Sequence, residues 1–117
     1  MSDKRLLVII RHPPHGSSWV REGIEAALVG AALGKPPGIF FEGDGVLALL
    51  RDQGSGALGQ KGSAGMLAGL EMYDIAPLRF DRASLDARGI DPSQLIPGCR
   101  EAAFDTLLGE YDVALSF

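Results

Sequence analysis

Apolar positions along the chain fall into two patterns, short unbroken runs and stretches with helical spacing. Residues 6–10 (LLVII) form a continuous apolar run, as expected of a strand that is buried on both faces. From Ser18 onward apolar residues recur every three or four positions, which predicts a helix that ends near Gly34. Three further short runs predict strands: residues 39–41 (IFF), 77–80 (PLRF) and 112–117 (DVALSF).

Helical spacing returns between these runs. It predicts a short helix from Val46, another over residues 66–76 (MLAGLEMYDIA), and a third within residues 96–111 (IPGCREAAFDTLLGEY). Strands that alternate with helices indicate an α/β fold, with a parallel sheet covered by helices on both faces. The chain shows no internal repeat, so we expect one domain over residues 1–117.

One segment follows neither pattern. Residues 53–65 (QGSGALGQKGSAG) are rich in glycine and small polar side chains. This composition predicts a mobile loop, and loops of this length are commonly functional or disordered.

Composition narrows the class of partners. The 117 residues carry a net charge of −4, and lysine and arginine form no block. Phosphate backbones are bound by basic stripes, so we expect no direct contact with nucleic acid. The run at residues 6–10 is too short for a signal-peptide core or a membrane span. Cys99 is the single cysteine and permits no internal disulfide, so we expect a cytoplasmic protein without membrane contact.

The turn after the first predicted strand, residues 12–18 (HPPHGSS), has the strand–turn–helix order of a phosphate-binding loop. It lacks the glycine patterns of nucleotide-binding loops, and its two prolines remove amide donors. We favour a rigid turn here.

His12 and His15 lie three positions apart, but zinc needs a third or fourth ligand that this turn does not offer. We therefore expect no metal or cofactor.

Glu42 and Asp44 lie in the turn EGDG that follows the second predicted strand. Two carboxylates at a strand end suit acid–base chemistry. Such turns more often cap the helix that follows, so we interpret Asp44 as the cap of the helix near Val46.

Cys99 is the only soft nucleophile and stands at the start of a predicted helix, after Pro97 and Gly98. A helix N-terminus lowers the pKa of a thiol and makes it more reactive. No histidine or lysine adjoins it in sequence, however, and a solitary cysteine is commonly a small apolar core residue. Catalysis at Cys99 is therefore an alternative interpretation.

Six segments occur together in the order and spacing of one known family. They are PHG at 14–16, REGIEA at 21–26, FFEGDGV at 40–46, YDI at 73–75, SLDARGID at 84–91 and YDVALSF at 111–117. In this combination the chain resembles the DsrE/DsrF-like sulfur-relay family, in its DsrF/TusC branch, over nearly its whole length. The resemblance implies one α/β domain with a mostly parallel five-stranded sheet.

The resemblance also implies an assembly. Three related subunits, in two copies each, would form a heterohexamer that carries sulfane sulfur as a cysteine persulfide. The partners of this chain would be two homologous subunits, DsrE-like and DsrH-like, and a downstream sulfur-acceptor protein. One branch of the family feeds 2-thiolation of the tRNA wobble uridine, and the other serves dissimilatory sulfur oxidation. The segment DRASLDARG at 81–89 favours the oxidation side.

Residues 78–91 (LRFDRASLDARGID) predict the end of a strand, a turn and a short helix closed by Gly89. The resemblance implies a sulfur-bearing cysteine eight positions before this glycine, and Asp81 stands there instead. A carboxylate cannot form a persulfide, because persulfide chemistry requires a thiolate sulfur. We therefore predict a structural and docking subunit without catalytic residues. The alternatives are a sulfur carrier that uses Cys99 and a homo-oligomeric module that binds a small anion or nucleotide.

Overall fold

The computed structural model describes residues 4–51 and 63–117. Five strands form one sheet in the order β4-β3-β2-β1-β5, and each pair of neighbouring strands is parallel. The prediction of an α/β fold with a five-stranded parallel sheet is therefore confirmed. The strands are β1 (Leu6–Ile10), β2 (Gly38–Phe41), β3 (Leu78–Phe80), β4 (Cys99–Glu101) and β5 (Val113–Ser116).

Helices and tighter 3-10 segments connect the strands. The α-helices are α1 (Trp19–Ala32), α2 (Ser63–Gly69), α3 (Arg82–Ala87) and α4 (Phe104–Leu108). The 3-10 segments are Gly43–Leu49, Leu70–Tyr73 and Pro92–Gln94.

The chain order of the strands decides which face each helix covers. β1 to β4 follow one another across the sheet, so right-handed crossovers place α1, α2 and α3 on one face. The connection from β4 returns past β1 to β5, which places α4 on the opposite face. Helices thus cover both faces, but the second face has only the five residues of α4 within the described part of the chain.

Two apolar clusters hold these layers together. Alternate residues of β1 point to opposite faces, which explains why its apolar run is continuous. The larger cluster joins the sheet to α1–α3 through Val8, Ile10, Ile24, Ile39, Phe41, Leu67, Phe80 and Leu85, among others. The smaller cluster joins Leu7, Ile9 and Phe40 to Leu107 of α4.

The structure corrects three sequence predictions. Cys99 does not begin a helix, because it is the first residue of β4, and the following helix starts only at Phe104. The helix expected near Val46 is a 3-10 segment that starts at Gly43. Of the predicted loop at 53–65, residues 53–62 lie outside the described residues and 63–65 already belong to α2. A three-residue strand and a helix start look alike in sequence, since both are short and mixed in polarity.

Gly45 lets the 3-10 segment after β2 lie directly against the end of β1. A Cβ at Gly45 would stand 2.0 Å from the carbonyl oxygen of Ile10, a distance that no side chain tolerates. This contact holds the neighbouring Val46 and Leu49 in the core. The glycine of the EGDG turn is therefore required by close packing between two backbones.

We expect Gly45→Ala to lower the free energy of unfolding by at least about 2 kcal/mol, because the backbone must shift to admit the methyl group. Gly65→Ala is the matched control, since a Cβ there meets no atom within 4 Å and lies in helix α2. The control should be neutral or stabilising by about 0.5–1 kcal/mol. Urea unfolding of both variants measures the difference, and equal stability would contradict the close approach.

Candidate functional site

The loops that follow β1, β2 and β3 meet at the carboxyl edge of the sheet, where open α/β proteins usually place their chemistry. Arg11, Glu42 and Asp81 are the first residues after these strands. Backbone hydrogen bonds hold these residues at the same height along the strands. The amide of Glu42 donates to the carbonyl of Ile10 (3.0 Å), and the amide of Asp81 donates to the carbonyl of Phe41 (3.0 Å). The guanidinium of Arg11 also donates to the carboxylate of Glu42.

Asp81 is the N-cap of α3 and is held by Ser84. Its Oδ2 atom accepts hydrogen bonds from the Ser84 backbone amide (3.1 Å) and from the Ser84 hydroxyl (2.6 Å). The same hydroxyl accepts a hydrogen bond from the amide of Gly43 (2.8 Å). Gly43, Ser84 and Asp81 therefore form a chain of hydrogen bonds that joins the end of β2 to the start of α3.

This network gives Asp81 a structural role. Ser84 is a buried polar residue, 8% exposed, and the Asp81 carboxylate is the acceptor for its hydroxyl. The sequence signal was present, because Asp followed three residues later by Ser matches an N-cap and its N3 position. Sequence reasoning treated Asp81 as a replaced cysteine, and it identified neither the capping role of Asp81 nor Ser84.

Glu42 and Asp44 do not have the roles that the sequence suggested. The structure assigns no capping hydrogen bond to a side chain at the start of Gly43–Leu49, so the interpretation of Asp44 as a cap is wrong. Asp44 instead accepts hydrogen bonds from Arg88 at 2.9 and 3.1 Å, and Glu42 pairs with Arg11. Each carboxylate faces a guanidinium, which fits an ion pair better than proton transfer.

A third arginine of this edge, Arg82, pairs with Asp86 one turn later (3.1 Å) and lies 3.7 Å from Glu101 of β4. The hydrogen bond and charge of Asp86 raise the pKa of the Arg82 guanidinium above its ordinary value, so it stays charged. Exposed pairs of this kind contribute little stability.

The HPPHGSS turn connects β1 to α1 at the point where the chain order of the strands reverses. His12 stacks on Trp19, with ring centroids 4.7 Å apart. Ser18 is the N-cap of α1 and makes no capping hydrogen bond through its side chain. His12 is thus engaged with an aromatic ring, and His15 is exposed. Within residues 4–51 and 63–117, no three His, Cys, Asp or Glu side chains group as metal ligands.

Cys99 lies away from this edge. It pairs with Leu78 at the start of β3, three residues before Asp81, which corresponds to roughly 10 Å along the strands. Its side chain is half-buried against the larger apolar cluster. Burial raises the pKa of the Cys99 thiol to about 11, the opposite of the lowering that a helix start would cause.

The described residues therefore define a small parallel-sheet α/β protein with a carboxylate, not a thiol, at the end of β3. The chain belongs to the DsrE/DsrF-like family, whose model matches residues 4–114. This finding confirms the family that the sequence motifs indicated.

Two relatives span almost the same length. Both are named Protein TusC and come from Klebsiella pneumoniae, one from strain 342 and one from subspecies pneumoniae. They are 37% and 35% identical over 122 aligned positions, which cover 97% of this chain and 99% of each relative. The similarity thus includes the whole carboxyl edge.

Two solved structures share the fold. The crystal structure of the ychN protein from E. coli has a TM-score of 0.83 at 23% identity, and covers 97% of this chain and 99% of its own. The MTH1491 protein from Methanobacterium thermoautotrophicum has a TM-score of 0.73 at 17% identity, with coverages of 98% and 100%. At these identities the likeness establishes the architecture alone. No helix in the described part of the chain is long and apolar enough to cross a membrane.

We expect Asp81→Ala to destabilise the protein by about 1 kcal/mol, because the amide and the hydroxyl of Ser84 both lose their acceptor. Asp81→Asn keeps an acceptor oxygen and should cost only a few tenths of a kcal/mol. Thermal or urea unfolding compares the two variants. Equal losses would contradict the capping role and would indicate that the charge of Asp81 matters instead.

We expect Cys99 to react slowly with iodoacetamide at neutral pH. A thiol pKa of about 11 in place of 9.0 reduces the thiolate fraction about a hundredfold. The higher basicity of this thiolate recovers about tenfold, so the folded chain should react roughly ten times more slowly than the unfolded chain. Mass spectrometry across a pH series measures the rate, which should keep rising beyond pH 9. A plateau below pH 9 would contradict the burial effect.

Proposed function

We propose that this chain is a non-catalytic structural and docking subunit of a heterohexameric sulfurtransferase complex that relays persulfide sulfur. Its partners are two homologous subunits, DsrE-like and DsrH-like, and a downstream sulfur-acceptor protein, in the cytoplasm. The observation that carries the proposal is that Asp81, at the position where the family resemblance implies a sulfur-bearing cysteine, caps α3.

Cys99 does not substitute for the missing thiol. Sulfur relay requires an accessible thiolate that attacks a donor and later releases sulfur to an acceptor. Cys99 is half-buried in a strand, and its raised pKa keeps it protonated at neutral pH. These properties suit a packing residue, and they disfavour the alternative of a carrier at Cys99.

Exposed apolar side chains support a docking role. Such patches on small proteins commonly mark contact surfaces. Val29 in the last turn of α1 and Leu33, the residue that follows the helix, are 60% and 74% exposed. Met72 and Tyr73 of the 3-10 segment Leu70–Tyr73 are 85% and 54% exposed. Burial of these residues against related subunits would stabilise the complex and hold the reactive loops of its partners.

The relatives named Protein TusC favour the tRNA-thiolation pathway over the sulfur-oxidation pathway. The segment DRASLDARG suggested the sulfur-oxidation side, but similarity to TusC over 97% of the chain is the broader observation. We therefore place the complex in the relay that leads to 2-thiolation of the tRNA wobble uridine. The acidic net charge of −4 disfavours direct contact between this chain and the tRNA.

Reconstitution with the two cognate subunits tests the proposal. The complex that contains Asp81→Asn should load persulfide on its partner subunits at the wild-type level, because the cap is kept and no sulfur bond is lost. Cys99→Ala should behave in the same way. Mass spectrometry detects each added sulfur, and 2-thiouridine in tRNA from cells without their own TusC reports the full pathway.

Two outcomes would contradict the proposal. Loss of loading in either variant, in a complex that still assembles, would assign the chain a direct part in transfer. Normal loading with no restored 2-thiouridine would reject the tRNA pathway while the relay role remains supported. Omission of this chain should abolish assembly of the complex. This control excludes the possibility that the subunit is dispensable.

A further inference from the structure

The two edges of the sheet differ in their chemistry. The β4 edge carries Arg100 and Glu101, both exposed, and Glu101 lies 3.7 Å from Arg82. Charged side chains at an edge hinder pairing with another strand. The β5 edge reads Val-Ala-Leu-Ser at residues 113–116, with no charge and no proline, and all four residues are exposed. Of the two edge strands, only β4 therefore carries charged side chains that hinder strand pairing.

The free edge of β5 presents backbone donors and acceptors at regular spacing. The amides of Val113 and Phe117 donate inward, to Arg5 (3.1 Å) and Ile9 (2.8 Å). Successive residues of a strand alternate in direction, so the N–H and C=O groups of Ala114 and Ser116 point outward. The edge thus offers two residues, two positions apart, for hydrogen bonding to another strand.

We propose that β5 pairs in antiparallel orientation with β5 of a second copy of this chain, so that two sheets become continuous. Ala114 lies opposite Ser116 of the second copy, and each such pair exchanges two hydrogen bonds. Leu115 then lies opposite Leu115 of the second copy, on the two-fold axis. The pairing is self-complementary, as a symmetric dimer contact requires.

Side chains favour this register. Leu115 pairs with Val8 inside the sheet and so points to the face that α1 covers. It is 44% exposed in the isolated chain, and the two-fold axis brings the two leucines into contact. In the alternative register, Ala114 lies opposite Ala114 of the second copy, and Asp112 would have to pair with Ser116. The Asp112 amide is not available for this pairing, because it already donates to the carbonyl of Arg5 (2.8 Å). The Leu115-centred register therefore satisfies more outward groups.

The absence of charge on β5 suits a second copy as the occupant. The exposed strand is uncharged, so two copies meet without like charges facing each other, whereas a charged strand would lose hydration without gaining a partner. This inference does not rest on the proposed sulfur relay, because it concerns a surface away from Asp81 and uses the chain alone.

A cysteine pair tests the register. Leu115→Cys in a Cys99→Ala background should form a disulfide-linked dimer under mild oxidation, because directly opposed residues in a non-hydrogen-bonded pair have Cα atoms about 4.5 Å apart. Val113→Cys in the same background is the matched control. Its two copies would be separated by roughly 13 Å along the strands and should not link. Non-reducing electrophoresis compares the two variants.

Analytical ultracentrifugation tests the dimer itself. The chain of 12.4 kDa should sediment at twice that mass, and Ser116→Pro should return it to the monomer by removing an outward amide. Leu115→Lys should do the same while its charged head stays in solvent, which guards against misfolding of the proline variant. A monomeric wild-type chain, or equal linking of the two cysteine variants, would overturn the proposal.

Discussion

The hydrogen bonds from Gly43 to Ser84 and from Ser84 to Asp81 join the loop after β2 to the start of α3 at the carboxyl edge of the sheet. Neighbouring parallel strands end level with one another, but their loops would diverge without a cross-connection. Ser84 supplies that connection, since one hydroxyl donates to the cap of α3 and accepts from the loop after β2. A buried hydroxyl has to find partners, and the carboxylate of Asp81 is well suited as an acceptor. The edge is therefore held by polar contacts above an apolar core.

This arrangement is compatible with the proposal that the chain has no sulfur-bearing thiol at the end of β3, because the carboxylate there supports the fold. A cysteine accepts hydrogen bonds weakly, so an aspartate at the same position strengthens the cap. The carboxylate of Asp81 is thus a structural group at a place where the helix requires an acceptor. The remaining thiol, Cys99, lies in β4 against apolar neighbours, where the charged form is disfavoured. Burial and position together separate this cysteine from the chemistry of the edge.

Sequence patterns predicted much of this fold because the central elements bury large apolar faces. The run from Leu6 to Ile10 forms a buried strand, and the periodic apolar residues of α1 form the helix packed on it. The errors arose where burial is weak. Cys99–Glu101 is a short edge strand with exposed charges, and long-range pairing with β3 rather than local propensity decides its structure. Similarly, Asp44 suits a cap in sequence, but Arg88 lies 44 residues away and cannot be paired with it by local reasoning.

The strand order has a further consequence for assembly. β5 lies beyond β1 at one edge of the sheet and is reached by a crossover from β4 at the other edge. In the described sheet it is the only edge strand without charged residues. β1 lies between β2 and β5, so it is hydrogen-bonded along both of its edges. β5 is paired along one edge only, with β1. An open parallel sheet always leaves two such edges. Here the charges of Arg100 and Glu101 protect one of them, and the fold leaves the other, at β5, suited to a partner strand.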